Sequence, residues 1–402
     1  MLPESWGVMR LDDISEKVMV GIASAATHAY SDSGIRMLRN LNIKEGWIDD
    51  SDILYVNSSY EKAFRNKRLK QGDILTVRTG YPGVSAVVPM KYEGAQCFTS
   101  LITRLDQHKA FPDFVCRYIN SEYGKKFITS GEAGGAQKNV NAGMLKRMVI
   151  PLPPIPEQKK IAQILSTWDN VISATEQLLE NSQQRKKALM QQLLTGKKRL
   201  PGFEGEWNVN KLEAVMKRIY GGGTPPREDI SCWNGDLPWV TVKDLVSDRI
   251  TGAQEHISDE GLRNSAANIV EKGNVIIATR MAVGRVVTCS VDVAINQDLK
   301  AIIPNEKAVP DYIFYWFKYK ESEISKLGTG STVKGIQLSD LKKLTFLTPP
   351  ISEQKKIAEI LTTADKEIDA LQKRLGHLKQ EKKALMQQLL TGKRRVQVDA
   401  AA

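Results

Sequence analysis

In the last 50 or so residues of the chain, apolar side chains recur at alternating steps of four and three: Ile357, Leu361, Ala364, Ile368, Leu371, Leu375, Leu378, then Lys382, Leu385 and Leu389. The same places 196 residues earlier hold Ile161, Leu165, Trp168, Ile172, Thr175, Leu179, Ser182, Lys186, Leu189 and Leu193. A stripe held at period 3.5 for more than four heptads predicts two coiled-coil helices, each of about 39 residues and roughly 58 Å long. Pro156 is suited to the first helical position and Ser352 to a cap, with Glu157 and Glu353 complementing the positive end of the dipole. Gly196 and Gly392 stand where a helix is ended by a left-handed residue, and basic residues follow both.

The stripes belong to a longer duplication. PPIPEQKKIAQIL from Pro153 answers PPISEQKKIAEIL from Pro349, and KKALMQQLLTGK from Lys186 is repeated from Lys382. A fainter likeness extends upstream: Trp6, Val8 and Leu11 match Trp207, Val209 and Leu212, and GDILTVRTGYPG from Gly72 matches GNVIIATRMAVG from Gly273. So long a period excludes a short-repeat solenoid and leaves a two-fold pseudo-repeat. It divides the chain into a first globular domain (1–152), a helical spacer (153–200), a second globular domain (201–348), a second spacer (349–395) and a tail (396–402). Two helices of one chain, separated by a domain, would bury their seams against each other, antiparallel if a two-fold axis relates the halves. Packing of each on its own domain, or across a dimer, is the other outcome. Lys186 and Lys382 either fix register or mark where the stripe drifts round the helix.

Both globular domains carry short β-rich runs: Ile35 to Leu41, Ile74 to Val77, Val84 to Val88, Val240 to Val242, Val275 to Ala278, Val286 to Thr288 and Leu299 to Ile303. Helical stretches follow from Asp113 to Ile128 and from Asp311 to Leu327, each behind a Pro-Asp start. The fold class is α+β, two mixed domains joined by all-helical connectors.

Composition then narrows the function. With 57 Lys and Arg against 46 Asp and Glu, the net charge of +11 favours a polyanionic partner, nucleic acid before membrane. No run approaches 18 apolar residues, so no membrane span is expected, and the acidic, non-hydrophobic Met1 to Asp12 is not a signal peptide. Cys97, Cys116, Cys232 and Cys289 are scattered without a CxxC pair, which places the chain in the reducing cytoplasm with buried thiols.

Catalytic motifs are sparse. There is no Walker A loop, no nucleophile elbow and no glycine motif for adenosylmethionine, and His28, His108, His256 and His377 have no metal-ligand spacing. A Mg²⁺ nuclease is conceivable from Pro112-Asp113 with Glu157-x-Lys159, or Pro310-Asp311 with Glu353-x-Lys355. All these residues fall at expected helix starts, where a structural role suffices, and no catalytic or metal-binding residue is assigned.

Duplex readers need cations for phosphates and Arg, Asn, Gln or Lys for base edges. The first domain offers Arg36, Arg39, Asn40, Arg78, Thr79, Lys138 and Asn139; the second offers Lys243, Thr279, Arg280, Lys334 and Gln337. Similar basic clusters recur in both halves, at Arg39 and Lys243, at Arg78 and Arg280, and at Lys138 and Lys334. The helix-end clusters Lys197-Lys198-Arg199 and Lys393-Arg394-Arg395 are suited either to phosphate or to the dipole.

The order of domain, helix, domain, helix resembles the specificity subunit of type I restriction–modification systems. The likeness is carried by Pro151 to Leu165, Thr348 to Leu361, the LLTGK helix ends, Gly222-Gly223-Thr224-Pro225-Pro226 and Pro238-Trp239-Val240. The first half has Gly21 to Tyr30 in place of that glycine–proline loop. The resemblance implies a non-catalytic subunit whose two domains read the halves of a split, asymmetric site in double-stranded DNA. The helices would set the gap, roughly 15–17 base pairs for a rod of this length. It also implies two modification subunits that methylate adenine with S-adenosylmethionine, and restriction subunits that use ATP and Mg, with no cofactor held by this chain. A coiled-coil scaffold for protein partners is the alternative reading of the same frame.

Overall fold

The computed structural model describes residues 2–24, 26–130, 139–328 and 335–398. It forms two compact units, Met1–Glu176 with Arg374–Ala402, and Gln177–Lys373.

In the first unit, Ser15–Val20, Leu101–Leu105, Ile74–Thr76 and Ser85–Val87 form an antiparallel sheet in that spatial order. Alternate residues of a strand point to opposite faces, and here both faces are covered. Ile74 and Leu101 pack with Phe114, Ile119 and Ile128 of the helices Pro112–Asn120 and Glu122–Ser130. Leu75 and Ile102 pack on the other side with Leu38, Val77 and Ala86. A second sheet, Gln96–Cys97, Ile35–Leu38, Leu54–Val56 and Tyr30–Ser31, includes one parallel pair. The strand Gly7–Arg10 pairs with Val149–Leu152, closing the domain just before the first long helix.

The second unit repeats the plan with additions. Met216–Gly221, Leu299–Pro304, Val275–Ala278, Val286–Cys289 and Arg249–Ile250 form a five-stranded sheet, covered by the helix Pro310–Leu327. Val275 and Ile277 face that helix, while Ile276 and Ala278 face a separate cluster with Val240, Val287 and Ile295. Asn208–Lys211 pairs with Thr345–Thr348 as the closing ribbon.

Three local expectations change. The run Ile35 to Leu41 is a strand only to Leu38, and a 3₁₀ turn occupies Asn40–Asn42. Val240 ends the long strand Trp233–Val240, and Val242–Asp244 is again a 3₁₀ turn, capped by Thr241 and Asp244. The helix expected from Asp113 to Ile128 is broken at Ser121, whose hydroxyl bonds back to the carbonyl of Tyr118.

The long helices run Ile155–Leu193 and Ile351–Leu389. Pro156 and Ser352 are both second residues, so Ser352 is not the cap; the amides of Gln158 and Gln354 bond to the carbonyls of Pro154 and Pro350. Every seam position in both helices is buried or half-buried. In the first unit Ile161 and Leu165 share a core with Leu389 and Leu390; in the second, Ile357 and Leu361 share one with Leu193 and Leu194. Each unit therefore joins the start of one helix to the end of the other, and the pairing is antiparallel within one chain. The seam lysines pair across it, Lys382 with Asp169 and Lys186 with Asp365. A charged pair at matched places in an apolar seam specifies register, because a slip would bury unpartnered charge.

A clasp closes each helix pair. Glu157 accepts Trp6 Nε1 at 3.1 Å and both Arg395 Nε and Arg395 Nη2 at 2.7 and 2.9 Å. Glu353 accepts Trp207 Nε1 at 2.9 Å and the fork of Arg199 at 2.8 Å on each side. Gly196 and Gly392 have φ of +70° and +71°, and a Cβ there would touch the rings of Trp207 and Trp6. Beside each glutamate, Gln158 and Gln354 stitch the globular domain to the helix. Gln158 accepts the amide of Phe111 and donates to the carbonyls of Lys109 and Pro153; Gln354 does the same with Val309, Lys307 and Pro349.

Candidate nucleic-acid interface

The clasps dispose of the nuclease geometry. Glu157 and Glu353 are buried and spend their oxygens on arginine and tryptophan, while Lys159 and Lys355 point to solvent. Burial pushes the Asp113 carboxyl up, partly offset by Arg117 one helical turn on. Among the described residues no group of three or more His, Cys, Asp or Glu is placed to hold a metal ion. Arg199 and Arg395 also leave the phosphate-binding candidates at the helix ends.

In the second unit, three separate loops bond to the stretch Ile295–Asp298, and a fourth joins through one of the three. Gly223 N–H bonds to the carbonyl of Ile295, Asn296 N–H to that of Val240, and Thr279 N–H to that of Asp298. Ile336 N–H then bonds to the carbonyl of Thr279. Gly222 is obligatory there, since a Cβ would lie 1.6 Å from the carbonyl oxygen of Ile295. The buried indole of Trp239 donates to the carbonyl of Gly223 at 3.0 Å, fixing the glycine loop from beneath.

Equivalent segments converge in the first unit. Ile22 N–H bonds to the carbonyl of Cys97, Phe98 N–H to that of Leu38, and Val140 N–H to that of Arg78. Gly21-Ile22 thus fills the place of Gly222-Gly223, and a Cβ on Gly21 would lie 2.4 Å from Cys97 O. The shared turn is Phe98–Ser100, with Thr99 at φ +59°. Asn40 unites two of the segments, accepting Ser100 Oγ at 2.8 Å and donating to Thr79 Oγ1 at 3.2 Å. Asn40→Ala is expected to weaken the first unit by about 1 kcal/mol, from loss of two partly exposed bonds. Urea unfolding of the full chain measures this, and an unchanged midpoint would show that Asn40 does not tie the turn.

The hub gathers some of the sequence-selected residues and not others. Asn40, Thr79 and the backbone of Arg78 lie at the first; Thr279, Arg280 and the segment leading to Gln337 lie at the second. Asn139, next to Val140, is exposed, as is Gln337. Arg36 instead donates to the carbonyl of Lys91, and Arg39 pairs with Asp52 at 2.5 Å. Lys138 and Lys334 lie outside the described residues.

The paired basic clusters are not equivalent position for position. Val140 bonds to Arg78 where Ile336 bonds to Thr279, so Arg78 corresponds to Thr279 and Thr79 to Arg280. One residue along a strand end turns a side chain to the opposite face: Arg78 is half-buried, its Nε without a partner among the described residues, whereas Arg280 is exposed. The 3₁₀ caps likewise match Arg39 with Thr241, which leaves Leu41, not Arg39, opposite Lys243.

Sequence reading missed Gln297, Asp298 and Lys300, and met Thr224 only as part of the glycine–proline loop. Thr224 Oγ1 donates to Gln297 Oε1 at 2.8 Å, and Lys300 Nζ donates to the carbonyl of Gln297 at 3.0 Å. Burial holds the Lys300 ammonium below its usual pKa, with Asp298 acting against the shift. Little signal was available: INQDL, from Ile295, and CFTSL, from Cys97, share only the final leucine, and their equivalence shows in the backbone bonds alone.

Residues 3–182 and 204–380 match the family described as type I restriction modification DNA specificity domain. A putative type I restriction enzyme MjaX specificity subunit from Methanocaldococcus jannaschii is 29% identical, covering 98% of this chain and 95% of that protein. Among solved structures, the type I restriction–modification S subunit from M. genitalium superposes with a TM-score of 0.61 at 14% identity, covering 97% of this chain and 96% of its own. A chain from a study of complex assembly and conformational transition of the type I R-M system gives 0.60 at 22% identity, covering 98% and 99%.

Proposed function

The chain belongs to the family of type I restriction–modification DNA specificity domains, and on that premise we propose that each unit reads one half of a bipartite, asymmetric duplex site. The observation that carries the reading is the duplicated hub. The same four segments converge in both units, yet the side chains they present differ: Asn40, Arg78, Thr79 and Thr99 in one, Thr224, Arg280, Gln297 and Lys300 in the other. A common frame with different polar termini is what two different half-sequences require, since base edges are discriminated by donor and acceptor order. The excess of basic residues supplies the sequence-independent attraction to phosphate.

The chain is a recognition subunit rather than an enzyme, as its specificity-subunit relatives are. Methyl transfer from S-adenosylmethionine, and cleavage driven by ATP with Mg, would then reside in two modification subunits and in restriction subunits, with no cofactor held here. Exposed faces of the helix pair offer the modification subunits a rigid dock, and a target base would be flipped into their pocket. No described helix is long and apolar enough to cross a membrane, and we place the chain with DNA in the cytoplasm.

Selection from a randomised duplex pool tests the function directly. Two short conserved blocks separated by a fixed unconserved gap are the expected product. Absence of enrichment by the chain with its modification subunits would defeat the reading and leave a protein-binding scaffold.

A further inference from the structure

We propose that Gln297 is a specificity-determining residue of the second unit, its carboxamide set for the N6/N7 edge of adenine; the proposal rests on the duplex-reading function above. Gln297 is exposed, yet the turn beneath it is locked on every side. Asp298 N–H donates to Asn296 Oδ1 at 3.1 Å, and Asn296 Nδ2 donates to Asp298 Oδ2 at 3.2 Å. The backbone amide and hydroxyl of Thr279 both donate to the carbonyl of Asp298, at 2.8 and 3.1 Å, and Lys300 holds the carbonyl of Gln297 itself. These bonds satisfy the buried polar groups of Asn296 and Thr279, and they leave the turn that carries the exposed side chain no freedom. They position the side chain, as direct readout demands.

The orientation of the amide carries the chemistry. The Thr224 hydroxyl donates to Oε1, which fixes the oxygen end and keeps a second lone pair available. The NH₂ end makes no hydrogen bond among the described residues and offers two donors. Adenine presents an acceptor at N7 beside a donor at N6, matching one donor and one acceptor in fixed order. Guanine presents two acceptors in the same groove, so one would face the amide oxygen. Arg280 is exposed on the same hub, its guanidinium only 3.6 Å from Asp298, where it is able to meet phosphate while the amide meets the base. The first unit has Thr99 at the matching place and lacks the amide, so the two half-sites should differ there.

The test is selection from a randomised duplex pool by the full chain with its modification subunits, comparing wild type with three variants. Gln297→Ala should make one adenine position of one block degenerate, lowering its preference roughly ten- to a hundredfold. Gln297→Glu keeps the acceptor and removes the donor, and should move that position toward cytosine, whose edge offers N4–H. Thr224→Val releases the amide and should relax the same position to a smaller degree. The other block, unchanged throughout, is the internal control for folding. Gln297→Ala selecting the wild-type sequence in both blocks, or altering a position that is not an A·T pair, would overturn the proposal. A wild-type chain that selects no split sequence would instead defeat the duplex-reading function.

Discussion

Glu353→Ala is expected to weaken the second unit by about 3 kcal/mol. The carboxylate is fully buried and accepts three hydrogen bonds, two from the guanidinium of Arg199 and one from the indole of Trp207. Removing it leaves Arg199, held over the Trp207 ring at 5.3 Å, with only the carbonyls of Gly205 and Glu204, and leaves an indole N–H with no other acceptor among the described residues. Such a loss comes mainly from the groups left behind rather than from the pair itself. Glu157→Ala should cost less, about 2 kcal/mol, because Arg395 is 48% exposed against 26% for Arg199 and recovers more hydration. Glu353→Gln should fall between, since an amide oxygen still accepts the indole. Urea titration followed by tryptophan fluorescence gives all three values. A loss below about 1 kcal/mol for Glu353→Ala would mean that the clasp is an ordinary surface ion pair.

Removing one heptad from both long helices is expected to change the gap between selected blocks while leaving both block sequences intact. The matched segments are Thr175–Asn181 and Leu371–His377, which lie between the cross-helix pairs Asp169–Lys382 and Lys186–Asp365 and so preserve both register devices. Seven residues shorten a helix by about 10.5 Å, close to three base pairs. The seam survives because whole heptads keep the same face in contact. Duplex selection by the shortened chain reads the gap directly. An unchanged gap would show that the helices do not set it. Deleting four residues instead should damage the pairing itself, which separates a ruler from a passive linker.

What was legible in the sequence follows from how local each signal is. The long helices announce themselves because a period of 3.5 over many residues survives any uncertainty about neighbours, and the duplication states the same pattern twice. Even the buried role of Glu157 and Glu353 was half-visible, since both sit in a first helical turn, but the Trp6 and Arg395 that engage Glu157 lie far away in the chain. The hubs were poorly legible for a related reason. They are held by backbone bonds between segments separated by tens of residues, with turns that depend on Gly222 having no side chain and on Thr99 adopting a left-handed conformation. Basic residues draw attention in a composition, so Arg36 and Arg39 were selected although their own domain neutralises or anchors them. Gln297 stands between Asn296 and Asp298, outside every basic cluster of the sequence, so nothing local singled it out. Matching Arg78 to Arg280 compared residue types where the ladder compares faces, and a single step separates a half-buried guanidinium from an exposed one.

The division of the chain has a kinetic meaning. The second unit, Gln177–Lys373, is one continuous stretch, whereas the first takes Met1–Glu176 and then Arg374–Ala402. During synthesis from the N-terminus, the part begun first is therefore completed last. Its core waits with Ile161 and Leu165 uncovered until Leu389 and Leu390 arrive, and Glu157 stays without its arginine until residue 395 has emerged. Between those moments the second unit has all of its own residues and folds as a unit in its own right. The last thirty or so residues thus act as a late-arriving lock, and a ribosome that stops short of them releases one finished reader and one with an open, sticky seam.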